Sequence, residues 1–242
     1  MKKYLRVAAA ALALILVMPS AAYAKEAKKL PIYSVETQEK VIAVTFDAAW
    51  GADDTDILLE ILAEHNCTAT FFVCGYWAEK YAEQLAKLAA AGHDIANHGD
   101  THAHVASLTF DQNLEEIAGA HEKVRKILGI EMDLYRPPYG EYNNVVLEAA
   151  EHLHYYTIQW DVDSLDWKRQ GVDAIVRRVL DHKALQNGSI LLFHNDLPDT
   201  PEALRIILKE LTARGYGFVP VSQLIMRDGF ELDHTGRQKV KS

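Results

Sequence analysis

Val41-Ile42-Ala43-Val44-Thr45-Phe46-Asp47 is a short, apolar, largely β-branched run that ends on a carboxylate. Residue types of this kind over such a length read as a β-strand. Just beyond it, Thr55 precedes Ile57, Leu58, Ile61 and Leu62, an apolar helical pattern that Thr55 can cap. The alternation then continues along the chain. Residues 68–73 predict a strand and 77–91 a helix ended by Gly92. A short strand over 94–96 leads to a helix over 110–128 that stops at Gly129. Strands near 132–135 and over 155–159 flank a helix over 143–152. A helix over 172–185, a strand over 189–193, a helix over 201–214, a strand within 217–220 and a short helix over 221–226 complete the pattern. About seven strand-then-helix units with no low-complexity linker imply one α/β domain with a parallel sheet under helices. An open doubly wound sheet or a barrel both fit. In either, reactive groups collect in the loops after the C-terminal ends of the strands.

The ends of the chain carry a different signal. Met1-Lys2-Lys3-Tyr4-Leu5-Arg6 is basic, residues 7–18 are uncharged and apolar, and Ala22-Tyr23-Ala24 is a small-residue cleavage pattern. Residues 1–24 are therefore expected to be an export signal, with Lys25 as the first mature residue. An uncleaved membrane anchor is the competing reading, although the apolar stretch is short for a span of about 20 residues. Residues 25–40 form a lead-in, 41–226 the domain and 227–242 a polar tail. Loss of Lys2, Lys3 and Arg6 lowers Lys+Arg from 25 to 22 against 34 acidic residues, for a net charge of −12. Such a balance argues against nucleic acid or an anionic membrane as the main partner. Cys67 and Cys74 flank a predicted extended segment too long for a disulfide and are read as free, buried thiols.

Five segments carry chemistry, each at the end of a predicted strand. Asp47 suits a general base or a metal ligand, or a loop aspartate that bonds nearby amides. His98-Gly99-Asp100-Thr101-His102, followed by His104, places two histidines four apart. In a helical turn they would share a face and reach one cation. Arg136-Pro137-Pro138-Tyr139-Gly140 is a stiff loop that can hold Arg136 near a carboxylate and aim a backbone N–H at an oxyanion. Trp160-Asp161-Val162-Asp163-Ser164-Leu165-Asp166-Trp167 combines aromatic faces suited to sugar rings with carboxylates. Leu191-Leu192-Phe193-His194 ends a strand on a histidine that can protonate a leaving amine, placed across the sheet mouth from Asp47.

Together these motifs closely resemble the polysaccharide deacetylases of the NodB-homology type, carbohydrate esterase family 4. The similarity runs over residues 41–225, in the order TFD, HxxxH, RPPYG, DSLDW, LLFH. FDAAWG, YYTIQWDVDSLDWK and DHTGRQ look most like the sporulation-associated branch. The resemblance implies a distorted (β/α) barrel of about seven strands. It implies removal of N-acetyl groups from a wall or related polysaccharide, peptidoglycan or chitin-like, outside the cell. It also implies a divalent metal, zinc first and cobalt, nickel or manganese next. In that family's pattern Asp47 is the base, His98 and His102 hold the metal, and Arg136 tunes the base. Asp166 holds the acid His194, the backbone N–H of Tyr139 binds the oxyanion, and Trp167 contacts substrate. The chain departs from the pattern at Ala48, where the family carries a second, metal-binding aspartate, and at Gly99, where it carries serine or threonine. Asp53 or Asp54 could supply the missing ligand, with Asp54 the one expected. Asp47 or water could instead fill the shell, or the site could bind metal poorly. The alternatives to an N-deacetylase are an O-acetyl esterase of xylan-like polymers and an inactive glycan-binding protein of wall or spore assembly.

Overall fold

The computed structural model describes residues 28–241. The expected signal segment lies outside these residues. Strands β1 (Ser34–Val35) and β2 (Val41–Ala48) open the chain, followed by α1 (Thr55–Glu64) and β3 (Thr70–Val73). The single helix expected over 77–91 is two, α2 (Gly75–Lys80) and α3 (Ala82–Ala90). They break at Tyr81, whose φ of −120° and ψ of 43° are not helical. β4 (Asp94–Asn97) leads through the histidine loop to α4 (Phe110–Leu128). A capping box between Thr109 and Gln112 starts α4, and Gly129 in the left-handed conformation ends it. β5 (Leu134–Tyr135), α5 (Asn144–His152), β6 (Tyr156–Thr157), β7 (Val162–Asp163) and α6 (Val172–Leu180) follow. α6 stops five residues short of the expected end, because the His182 ring accepts the Ala184 N–H and the chain turns there. β8 (Ile190–His194), α7 (Thr200–Ala213), β9 (Gly217–Phe218) and α8 (Val221–Leu224) complete the domain, and β10 (Phe230–Leu232) and β11 (Arg237–Val240) end it.

The parallel sheet has the order β6-β5-β4-β3-β2-β8-β7, with β9 beside β2. It is a curled, partly closed sheet of about seven strands, the barrel-like alternative. The side-chain period of two divides β2 between two cores. Ile42, Val44 and Phe46 face the helices, where Phe46 stacks on Phe71 with ring centres 4.8 Å apart. Ala43 joins Phe72, Ala96, Leu134, Ile158 and Ile190 in a second cluster.

The lead-in and tail are structural parts of this body. Ile32 exchanges backbone bonds with Thr157 and Gln159 at β6, and the Val35 N–H donates to Gly188 just before β8. β1 pairs in parallel with β11, which pairs with β10, giving a second sheet. The tail's polar composition concealed this, since its buried side chain is Gln238, whose amide bonds the backbone of Met226 in both directions. Arg237 donates to Ser34 and to the Asn187 carbonyl. Cys67 and Cys74 are free and buried.

Candidate active site

Strand register decides which reactive groups meet. Asp47 and His194 are direct partners on the adjacent parallel strands β2 and β8. They are therefore side by side, not across the sheet mouth as the sequence suggested, because β8 inserts next to β2 at the middle of the sheet. Arg136 comes from the loop after β5. Its guanidinium is completely buried and donates to Asp47 Oδ1 at 2.7 Å, to Thr45 Oγ1 at 2.8 Å and to the Gln159 carbonyl at 3.2 Å. It lies over the Phe72 ring, 4.0 Å from the ring centre. Burial alone would raise the Asp47 carboxyl. The charge and hydrogen bond of Arg136, with His194 adding to them, outweigh it, so Asp47 sits below the usual carboxylate range and stays ionised.

Asp166 holds His194. The His194 Nδ1–H donates to Asp166 Oδ1 at 2.7 Å and the His194 backbone N–H to Oδ2 at 2.8 Å. Thr200 Oγ1 and the Trp167 N–H supply two more bonds. Burial pulls His194 toward its neutral form, but the bond and charge of Asp166, with Asp47 and Asp163, raise its pKa overall. The pair thus sets an ionised carboxylate beside a histidine that favours its proton, with Nε2 left to act.

His98 and His102 are not on a helical turn. The loop takes left-handed conformations at Gly99 (φ 76°) and His102 (φ 59°), and the two rings still meet, with centres 5.1 Å apart. Glu116 on α4 pins this loop by accepting from the N–H groups of Asp100 and Thr101 and from the Thr101 hydroxyl. The His98 Nδ1–H donates to the Arg136 carbonyl at 2.8 Å, which leaves Nε2 as a lone-pair donor 3.6 Å from Asp47 Oδ2. Burial lowers both imidazoles, His102 to about 4, so both stay neutral at pH 7.

These donors fall short of a tight metal site. Among the described residues no group of three or more His, Cys, Asp or Glu side chains is arranged to hold a metal. Ala48 is buried and brings no ligand. The expected third ligand, Asp54, is used elsewhere. Its Oδ2 accepts from the Asp196 N–H at 2.7 Å, where it ties the loop after β8 to the start of α1, and it does not line the cleft. Burial pushes Asp54 up to about 6, and its other oxygen is buried without a partner.

Asp47, His98, His102 and His194 open into a cleft of about 590 Å³. Its walls include Trp50, Tyr139, Trp160, Trp167 and Arg169. Trp50, Tyr139 and Trp167 are 54%, 54% and 52% exposed, a large apolar rim for a soluble surface. Tyr139, at a left-handed φ of 59°, stacks on His104 with ring centres 4.3 Å apart. Gly140 follows it, and a Cβ there would lie 2.8 Å from the Trp160 ring. Trp50 and Arg169 escaped the sequence reading. Trp50 stands in the quoted FDAAWG segment, so only its direction was hidden.

A family model described as polysaccharide deacetylase matches residues 34–158. The chain is 32% identical over 203 residues to the peptidoglycan-N-acetylmuramic acid deacetylase PdaA of Bacillus subtilis, covering 83% of this chain and 77% of PdaA. It is 29% identical over 195 residues to the uncharacterized protein YlxY of Bacillus subtilis, covering 81% of this chain but only 60% of YlxY. Among solved structures, a CE4 family pseudoenzyme from Bacillus anthracis superposes with a TM-score of 0.77 at 28% identity, over 81% of this chain and 68% of that one. A mutant of that pseudoenzyme is described as having restored enzymatic activity, with the same TM-score at 29% identity, over 81% and 71% of the two chains.

Proposed function

Because this chain belongs to the polysaccharide deacetylase family, we propose that it binds an N-acetylated wall glycan across the aromatic cleft and removes acetyl groups from it slowly. The observation that carries this is the acid–base pair: Asp47 kept ionised by Arg136, beside His194, whose affinity for a proton is raised by Asp166. Amide hydrolysis needs a proton taken from water and a proton given to the departing amine. In this reading Asp47 Oδ2 takes on the first task and His194 Nε2 the second. The aromatic rim gives sugar rings an apolar face. A divalent metal would polarise the acetyl carbonyl in a complete site of this type. Among the described residues no third side chain joins His98 and His102 in a metal-holding group, and in this reading the reaction is therefore slow. The relatives' wall substrates support an extracellular or cell-wall location for the protein. Among the described residues no helix is long and apolar enough to cross a membrane.

A second reading, glycan binding without hydrolysis, is favoured by the buried methyl of Ala48 and the likeness to a pseudoenzyme. Acetate release and glycan affinity, measured together, separate the two. Peptidoglycan fragments, chitooligosaccharides and acetylated xylan are the substrates, after chelation and after separate return of zinc, cobalt, nickel and manganese. Slow release from the first two supports the deacetylase. Binding with no release under any metal supports the second reading. Release from xylan alone identifies an O-acetyl esterase.

A further inference from the structure

We propose that Arg169 selects an anionic N-acetylated sugar, so that the cleft prefers residues bearing a free lactyl carboxylate, of the muramic type, over neutral N-acetylglucosamine. This rests on the wall-glycan reading above. Arg169 is the one Lys or Arg among the described residues lining the cleft. The acids of the same cleft are already engaged. Asp47 bonds Arg136, Asp163 Oδ1 accepts from the Leu165 N–H at 2.8 Å, and Asp196 Oδ1 accepts from the Asp53 N–H at 3.4 Å. Among the described residues the Arg169 guanidinium has no ion pair or hydrogen bond to a side chain or carbonyl. It is an exposed cation held at the mouth with its donors free.

The segment that carries it is built, not loose. Asp166, Trp167 and Lys168 form one tight turn, and the residues at its two ends, Leu165 and Arg169, both take left-handed conformations at φ 53° and 52°. Neither is glycine, and such strain persists only where the surroundings enforce it. Enforcement comes from Asp166, three of whose bonds fasten the turn to His194 and Thr200 while a fourth holds the Trp167 N–H within it, and from Ser164, which accepts the Asp166 N–H. The same turn therefore sets the acid, the Trp167 indole and the Arg169 cation around one cleft. An indole can carry the sugar ring while a guanidinium reads a carboxylate on it, a pairing that a planar two-donor fork suits. The chain's net charge of −9 repels an acidic glycan at long range, so a cation at the mouth is what would offset that field locally.

The test uses the whole protein and three probes: an alternating N-acetylglucosamine–N-acetylmuramic acid tetrasaccharide with free lactyl carboxylates, the same glycan with those groups converted to methylamides, and chitotetraose. Titration calorimetry at low and at high salt gives each affinity. The free acid is expected to bind about tenfold more tightly than its methylamide, the size of one charge-assisted hydrogen bond, and the ratio falls at high salt. Arg169→Gln brings the ratio close to one. Arg169→Lys keeps the charge and part of the preference, which guards against a variant that merely misfolds. A ratio near one in the natural protein, or one unchanged in Arg169→Gln, overturns the assignment while the wall-glycan reading stands. Binding of none of the three glycans overturns both.

Discussion

Replacing Asp166 by asparagine removes one charge and turns one acceptor into a donor at a fully buried position. The natural carboxylate accepts four bonds: from His194 Nδ1 and the Trp167 N–H at Oδ1, and from the His194 N–H and Thr200 Oγ1 at Oδ2. An amide must point its NH2 at one of these pairs. Each pair contains a backbone N–H, which has no way to become an acceptor. The hydroxyl of Thr200 can rotate and the His194 ring can change tautomer, so one orphaned N–H is the minimum cost. An orphaned buried donor costs about 1–3 kcal/mol, and the remaining bonds lose their charge assistance, so Asp166→Asn should destabilise the fold by about 2–4 kcal/mol. The second effect is a change of sign in pH dependence. With Asp166 present the His194 pKa is raised, so its contribution to stability is complete below the unfolded value of about 6.5 and is lost as pH rises through the folded value. Without the carboxylate, burial prevails and the folded pKa falls below the unfolded one. Stability is then lost as pH falls through that lower range. Urea unfolding of both proteins from pH 5 to 9, with an NMR titration of the His194 ring, reads both effects. A cost under about 0.5 kcal/mol, within the range of ordinary surface substitutions, would refute the reasoning, as would a His194 pKa that stays raised in the variant.

Ala48→Asp adds the carboxylate that the family's motif carries. The variant should lose stability without metal, and added zinc should stabilise it by about 4 kcal/mol at a thousandfold excess over Kd, read as a rise in thermal midpoint absent from the natural protein. No zinc-dependent shift would show that this position does not complete the site. Glu116→Ala releases three bonds from the histidine loop, and amide exchange at Asp100 and Thr101 should speed up at least tenfold, about 1.4 kcal/mol of lost protection. Unchanged exchange would mean that the loop holds itself. Burial pushes Asp161 up to about 7 against its bonds from Ile190 and Ser189. Its folded pKa exceeds the unfolded value, so stability falls as pH rises from about 4 toward 7. Asp161→Asn should show a smaller drop in thermal midpoint between pH 5 and pH 8. An equal drop in the two proteins would place that dependence elsewhere.

Much of the molecule was legible along the chain. The β-branched run ending at Asp47, the cap and stop of the helix Phe110–Leu128, and the placing of reactive residues after strands all follow from local periodicity and turn chemistry. So did the absence of a carboxylate at Ala48, which no tertiary neighbour has replaced among the described residues. What the chain alone did not specify depends on which segments become neighbours. β8 pairs with β2 across more than a hundred residues of sequence, and that choice sets His194 beside Asp47 instead of opposite it. Asp54 precedes a helix and sits near the missing ligand in sequence, yet the loop after β8 claims its oxygen first. The polar tail pairs with the lead-in because Gln238 and Arg237 satisfy buried backbone groups, a reason for burial that hydropathy does not record. Local order is encoded by spacing, whereas partners are selected by the free energy of the whole packed set. The loops that carry the chemistry belong to the second kind.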